Sequence, residues 1–434
     1  MDTDILIIGG GAAGLMAAYA AAASAGSPKV IVLEKMPRPA RKIMITGKGR
    51  CNYTNMKPWD AFAEHIRTDR NFIRPAFFNL KPEALQAFFE AHGLESVVER
   101  GDRAYPATYK ASDIVDTLCK AAIGQGAVIE CGKEVREIKR NEEEPRFTVR
   151  CSDGKEYNSR ALIIATGGLS YPTTGSTGDG YIFAEDLGHN VKTCFPALTA
   201  MVPFGYKQCP ERLPKGALKG HIDREIPLSE LGEKLCGVNL KNVTASLYNG
   251  DSMLQSEMGE LSFTDCGIEG PIGFSLSRNC VKGVMNGAKV RVVLDLKPGV
   301  ETAQLKGRIT ALIDECKGCK AEVLRKLLPA ELIQGFIDWN PTLQGAELKP
   351  DALVKALKEW TFNIAGYVGY ERCVVTAGGV NTREIIPKSM QSRLCPGLFF
   401  CGEVIDIDCD TGGYNLQCAF CTGYLAGQSA AKLK

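Results

Sequence analysis

Histidine and tryptophan are scarce in this 434-residue chain, at four and three copies. The four histidines, at 65, 92, 189 and 221, fall in no metal-ligand spacing, so no metal centre is expected. No apolar run approaches the roughly 18 residues of a membrane helix; the best candidate, at 15–25, is a short Ala-rich stretch behind glycines. An excess of one charge is also missing: 52 Lys and Arg against 50 Asp and Glu leave +2, which removes any global pull toward nucleic acid or acidic membranes. Internal repeats and low-complexity segments are absent, and 45% apolar with 24% charged residues excludes disordered, collagenous and fibrous classes. The start, Met1-Asp2-Thr3-Asp4, is acidic where a secretory signal carries a basic region, so the chain reads as soluble and cytoplasmic. In that compartment the 17 cysteines, an abundance, stay free thiols that pack as small hydrophobes rather than forming a disulfide framework. Cys316 and Cys319 have C-x-x-C spacing but no second pair nearby.

At roughly 100 to 200 residues per domain the length allows two or three domains. Asp4-Ile5-Leu6-Ile7-Ile8 is an apolar run of the kind buried on both faces of a parallel sheet. It leads into Gly9-Gly10-Gly11-Ala12-Ala13-Gly14, an Ala-rich helix, and a second strand, Val30-Ile31-Val32-Leu33, that ends in Glu34. This βαβ order with G-x-G-x-x-G at its first turn predicts a dinucleotide site. Gly9 serves the tight turn, Gly11 lets a pyrophosphate approach the backbone, and Gly14 lets helix and strand pack closely. Glu34, 20 residues after Gly14, is placed to accept hydrogen bonds from an adenosine ribose.

FAD and NAD share this fingerprint, so the rest of the chain decides between them. A helix near 112–125, capped by Ser112-Asp113, precedes strands at 127–130, 133–140 and 146–151. Ala161-Leu162-Ile163-Ile164 then ends in Ala165-Thr166-Gly167-Gly168, and Gly397-Leu398-Phe399-Phe400-Cys401 ends in Gly402-Glu403 before Gly412-Gly413 and a closing helix to about 431. That order is typical of two-dinucleotide-fold flavoproteins. No second G-x-G-x-x-G follows a strand, which excludes a dedicated nicotinamide domain; NAD(P)H, if the donor, must bind transiently. The α/β fold is thus expected to be a Rossmann-like FAD-binding domain at 1–195 and 371–434. Inserted in it are a β-rich, barrel-like subdomain at 196–300 and a helical one at 301–370. The insert starts with a Pro/Lys-rich stretch at 203–220, and its expected elements include a Gly/Pro turn at 267–273 and helices at 301–316, 320–338 and 350–359.

Lys42-Ile43-Met44-Ile45-Thr46-Gly47-Lys48-Gly49-Arg50-Cys51-Asn52-Tyr53-Thr54-Asn55 resembles the signature of the BaiN/RdsA family of FAD-dependent oxidoreductases, which takes in aminoacetone oxidase-like and YhiN-like flavoproteins. Ser170-Tyr171-Pro172, Gly267-Ile268-Glu269-Gly270-Pro271, Thr376-Ala377-Gly378-Gly379 and Gly412-Gly413-Tyr414-Asn415-Leu416-Gln417 extend the resemblance along the chain in order. It implies noncovalent FAD, with Gly9, Gly11, Gly14 and Glu34 on the ADP part and Glu403 on the ribitol. The loop Gly47, Gly49, Arg50, Cys51, Asn52 and the turn Gly412, Gly413, Tyr414, Asn415 would frame the isoalloxazine. Ala12, Ala13, Lys35, Lys42, Ala165, Thr166, Gly167 and Gly402 complete the expected cofactor set. Two departures stand out: Lys48 where the family usually has Gly, and Cys418 and Cys421 where Trp and Ser are common.

Family members are associated with uridine reduction in ribosomal RNA, with bile-acid metabolism and with aminoacetone oxidation. The expected activity is therefore hydride transfer through FAD to or from a small unsaturated substrate or nucleobase, and the basic run at 35–50 tilts the expectation slightly to rRNA uridine reduction with NAD(P)H as donor. Amine oxidation with oxygen as acceptor, or flavin binding without catalysis, are the alternatives. Cys51 is a candidate proton donor to the substrate, against packing as its plainer role. Cys418 and Cys421, near a helix N-terminus, are a candidate dithiol, against core packing. Lys35, Arg38, Arg41, Lys42, Lys48 and Arg50 place six cations within 35–50 without an acid, either for pyrophosphate neutralisation or as a landing patch for rRNA.

Overall fold

The computed structural model describes residues 2–208, 218–345 and 347–433. The middle of the Pro/Lys-rich stretch, 209–217, lies outside the described residues. The chain divides into two compact units, Met1–Phe195 with Val375–Lys434, and Pro196–Val374.

The first unit is built on a seven-stranded sheet. Val128–Cys131, Val30–Glu34, Asp2–Ile8, Glu156–Ile164 and Leu398–Phe400 run parallel in that spatial order. Val135–Arg140 and Phe147–Cys151 extend it as an antiparallel meander against the first half of Glu156–Ile164. Ile5, Leu6, Ile7, Val30, Ile31, Val32 and Ala161 through Ile164 are fully buried, as continuous apolar runs in a doubly covered sheet must be. Each large side chain among them contributes about 1.5–3 kcal/mol by leaving water.

Helix Ala12–Ala22 packs against the closing helix, Tyr414–Ala430, although roughly 400 residues separate them. The contact is close because both faces are small. A Cβ on Gly423 would lie 2.2 Å from the Ala13 carbonyl oxygen, and one on Gly427 2.2 Å from that of Ala17. Four residues apart, the two glycines share one face of their helix. Helices Trp59–Ala63, Arg70–Asn79 and Pro82–Ala91, not anticipated from the sequence, bring Phe62 and Phe77 together with Tyr414 in one aromatic group and set Phe89 against Tyr53 in another. The helix expected at 112–125 is Ala111–Gly124; its N-cap, Lys110, has no side-chain cap, and Ser112 donates to Asp113 instead.

In the second unit Asn239–Asn249, Ser252–Thr264, Gly267–Glu269, Val290–Asp295 and Trp360–Val368 form an antiparallel sheet. Met201–Pro203 pairs with both Gly267–Glu269 and Trp360–Val368, which closes the sheet into a barrel. Two expectations need correction here. Residues 267–273 are not a turn: Gly267–Glu269 is a strand, and Pro271 sits at the start of helix Gly270–Met285, where its missing N–H is harmless. The helical pattern at 320–338 is two helices, Lys320–Arg325 and Ala330–Trp339, because Pro329 cannot donate within a continuous helix. With Thr302–Glu315 and Pro350–Lys358, these helices share one core with the barrel, centred on Phe263, Phe336, Trp360 and Phe362. Among the described residues no helix is long and apolar enough to cross a membrane.

Candidate functional site

The three glycines of the first turn are required for different reasons. Gly9 has φ 102°, and a Cβ there would meet the Ala165 carbonyl oxygen at 2.5 Å. A Cβ on Gly14 would lie 1.9 Å from the oxygen of Gly9. Both are fixed by the protein's own packing, which sets the first turn against Ala165 and Thr166. Gly11 differs: its φ of −79° suits any residue, and nothing lies within 4 Å of a Cβ built on it. It faces open space at the start of Ala12–Ala22, a helix without a side-chain cap, whose first N–H groups are free to bind an anion.

Glu34 is 8% exposed, and its carboxylate accepts from the N–H groups of Gly10 and Met36, both at 2.8 Å. Burial raises its pKa, opposed by those two N–H groups and by Lys35 and Arg41. A carboxylate has about four acceptor sites, so two remain for ribose hydroxyls.

Glu403 follows Gly402, which packs on Ala13 of the first helix, and ties together segments far apart in sequence. Its carboxylate accepts from Thr376 N–H at 2.7 Å, Ser170 Oγ at 3.0 Å and Lys42 Nζ at 2.7 Å. Thr376 Oγ1 accepts in turn from the N–H groups of Leu169 and Ser170. Glu403 is therefore largely committed to protein donors, with about one acceptor site left for a ribitol hydroxyl. Ser170 and Thr376, both fully buried, have roles that their motifs in the sequence did not disclose. Gly402 N–H donates to Thr422 Oγ1 of the closing helix.

The two segments expected to frame the isoalloxazine do come together. Gly412 and Gly413 have φ of 124° and 96°, and a Cβ on Gly413 would sit 2.4 Å from the Thr54 oxygen and 2.9 Å from Asn52 Oδ1. Asn55 Nδ2 donates to the Gly412 carbonyl at 3.0 Å. Asn52 Oδ1 and Thr166 Oγ1 are buried without a protein partner among the described residues. Leaving such a group unsatisfied costs about 1–3 kcal/mol. The orphaned Asn52 Oδ1 beside Gly413 and the open cradle at Gly11 fit a large polar cofactor with an anionic middle, as FAD is, whereas Thr166 Oγ1 packs against Gly180.

Other expected cofactor residues turn elsewhere. Arg50 lies between the rings of Tyr105 and Tyr109, at 4.5 and 4.4 Å, and pairs with Glu99. Lys35 pairs with Asp179 at 2.6 Å and touches Thr177. Tyr414 stacks on His65 at 4.2 Å, and Asn415 spends its side chain on the backbone of Cys409 and Asp410. Of the six cations within 35–50, Lys35, Lys42 and Arg50 are thus neutralised by acids. Arg38, Arg41 and Lys48 are exposed without an ion pair among the described residues.

Cys51 is fully enclosed, and burial pushes its pKa up to about 12. A sulfur that water cannot touch offers no surface to a substrate, so its place in the structure is that of a packing residue. Cys51→Ala is expected to keep turnover within about twofold, a difference below 0.5 kcal/mol in barrier. Native Cys51 should also resist iodoacetamide at pH 8 while exposed Cys131 reacts. A collapse of turnover in the variant would restore the acid role.

Gly47 and Lys48 both adopt left-handed backbone, with φ of 55° and 56°. A side chain in this conformation costs about 1–2 kcal/mol, a physical reason for glycine at position 48. Lys48→Gly is expected to raise stability by about 0.5–1 kcal/mol after the loss of unfolded-state entropy, measured by urea unfolding.

A Rossmann-type unit with this first turn, a buried acid closing its second strand and a glycine turn from the far end of the chain has the form of an FAD-dependent oxidoreductase. Residues 3–429 match the model described as HI0933-like protein Rossmann domain, and the chain belongs to this HI0933-like family. It is 33% identical over 433 residues to a 3-dehydro-bile acid delta(4,6)-reductase of Clostridium scindens, covering 98% of each chain. It is 30% identical over 442 residues to a ribosomal RNA dihydrouridine synthase of Haemophilus influenzae, again covering 98% of each. Among solved structures, a quinol fumarate reductase of E. coli aligns with TM-score 0.50 and 15% identity, over 100% of this chain and 70% of that one, a likeness of fold.

Proposed function

We propose that this flavoenzyme saturates a carbon–carbon double bond in a small unsaturated substrate, with NAD(P)H as transient donor. The observation that carries this reading is that two relatives aligned along their full lengths have names that both describe saturation of such a bond. Bound FAD supplies the two-electron hydride chemistry. The chain's own residues bind and orient it. The cradle at Gly11 and the N–H groups of Ala12, Ala13 and Gly14 would hold the diphosphate, and Glu34 the adenosine ribose. Lys42, Ser170 and Thr376 keep the Glu403 carboxylate fixed for the ribitol. Gly413 is the N-cap of Tyr414–Ala430, a helix without a side-chain cap, so its first-turn N–H groups stabilise negative charge on the flavin side by about 0.3–1 kcal/mol or more.

A small substrate is favoured over rRNA because half of the basic run is already paired with Asp179, Glu403 and Glu99. The rRNA reading keeps one specific support, the exposed Arg38, Arg41 and Lys48 beside exposed Met44 and Ile45. Three cations on single-stranded RNA predict a log–log salt slope near −2, and six would give about −4.

Anaerobic titration of the FAD-loaded protein with NADH and NADPH, followed by an unsaturated ketone or by rRNA lacking dihydrouridine, tests the proposal. Reduction of the flavin by nicotinamide and its reoxidation by the ketone is the expected result. Reoxidation by rRNA alone would move the assignment to the nucleobase, reduction only by an amine would favour an oxidase, and an inert flavin would leave a binding role.

A further inference from the structure

The C-x-x-C spacing pairs Cys418 with Cys421, but the fold brings a different sulfur to Cys418. Cys409 Sγ lies 3.6 Å from Cys418 Sγ, with both residues in the core at 1% and 5% exposure. Cys421 instead donates its thiol back to the Cys418 carbonyl oxygen at 3.5 Å.

Cys409 is held opposite Cys418 from two sides. Its N–H donates to Asn415 Oδ1 at 2.9 Å, and Asn415 Nδ2 donates to the carbonyls of Cys409 and Asp410, each at 3.0 Å. Asp410 is anchored in turn by Arg67 Nε at 2.6 Å and by His65 at 3.0 Å. The thiols therefore meet in a braced segment, and closing a bond of about 2 Å requires roughly 1.6 Å of further approach.

We propose that Cys409 and Cys418 are a modification site, a dithiol that hydrogen peroxide closes to a disulfide linking the segment before Gly412 and Gly413 to the closing helix. Local opening of this segment admits peroxide, and the sulfur of Cys418, on the less buried of the two residues, attacks one peroxide oxygen. Its proton leaves with the departing hydroxide as water, and a sulfenic acid forms. The sulfur of Cys409 then displaces the sulfenic hydroxyl as a second water and forms the S–S bond. Two thiols lose two electrons, and one peroxide becomes two waters. The hydrogen bond with Cys418, and then burial, hold the Cys409 thiol well above the usual range, so closure is slower than oxidation of exposed Cys319. The linked segment carries the Gly412 carbonyl that Asn55 holds, so closure also stiffens the flavin-side turn.

The FAD-loaded full chain is treated with hydrogen peroxide, alkylated, denatured and cut with chymotrypsin, which cleaves between the two cysteines at Tyr414 and Leu416. The expected product is a cross-linked peptide pair containing Cys409 and Cys418. It is lost on dithiothreitol treatment, absent in Cys409→Ser and Cys418→Ser, and retained in Cys421→Ser. A reversible change in the bound-flavin spectrum should accompany it in the wild type and in Cys421→Ser only. Recovery of Cys409 and Cys418 as separately alkylated thiols after Cys319 is fully oxidised overturns the proposal, as does a Cys418–Cys421 link. If a serine variant fails to fold, the wild-type and Cys421→Ser maps decide between these outcomes.

Discussion

Gly11→Leu is expected to fold normally and to lose FAD. A Cβ at this position meets nothing within 4 Å and φ is ordinary, so the change resembles a surface substitution, within about 0.5 kcal/mol and 2 °C in Tm. The leucine would fill the space where the diphosphate must approach the free N–H groups of Ala12–Ala22. Charge-assisted hydrogen bonds contribute about 1.5–3 kcal/mol each, so losing two of them weakens binding by at least ~100-fold. Gly14→Ala should behave in the opposite manner. Its methyl group would lie 1.9 Å from the Gly9 oxygen, so the first turn itself must open, at about 3 kcal/mol or more of stability. Thermal unfolding of the apoproteins and fluorescence titration with FAD separate the two effects. Tight FAD binding by Gly11→Leu would show that the cradle is not the diphosphate site.

Gly427→Leu is expected to be as damaging as the same change at Gly423, whose Cβ would clash equally. The new Cβ would stand 2.2 Å from the Ala17 oxygen, and the helices can relieve that only by separating along their contact. Overpacking of this kind costs about 1–3 kcal/mol, and more where backbone is the obstacle. For units of this size about 3 kcal/mol lowers Tm by roughly 6–12 °C. Gly307→Ala is the internal contrast: that glycine lies in helix Thr302–Glu315 with nothing within 4 Å, and the exchange should stabilise by up to ~1 kcal/mol. Calorimetry of the two variants would test both signs, and equal melting of Gly427→Leu and wild type would contradict the close helix contact.

The strands and the first turn are legible in the sequence because their signals are local. Ile5 to Ile8, Ala161 to Ile164 and Leu398 to Phe400 are short apolar runs followed by glycine or Thr-Gly, and the structure makes them neighbours in one sheet. Side-chain direction was not legible. Lys42 meets Glu403 across 361 positions and Arg50 meets Glu99 across 49, so a basic run that looks unpaired in sequence is half neutralised by acids with no sequence relation to it. Tyr414 and Asn415 follow the turn at Gly412 and Gly413, whose φ of 124° and 96° suit glycine. Yet one faces an aromatic cluster and the other a loop that periodicity does not locate. The helix contact has a sequence signal of its own: Gly423-Tyr424-Leu425-Ala426-Gly427 carries two glycines four apart, a spacing that marks a face made for close approach.

The packing of Ala12–Ala22 on Tyr414–Ala430 also dictates an order of events at the ribosome. Roughly 400 residues, or about 20–80 s of synthesis, separate emergence of the two helices. During that interval the apolar first strand and its helix lack the partner that covers them, whereas residues 196–374 contain a complete core of their own and can fold before the closing helix exists. The nascent chain therefore carries a finished inner module and an exposed Ile/Val/Ala-rich opening segment, the state in which a holding chaperone has most to protect and in which the cofactor has no complete site to enter.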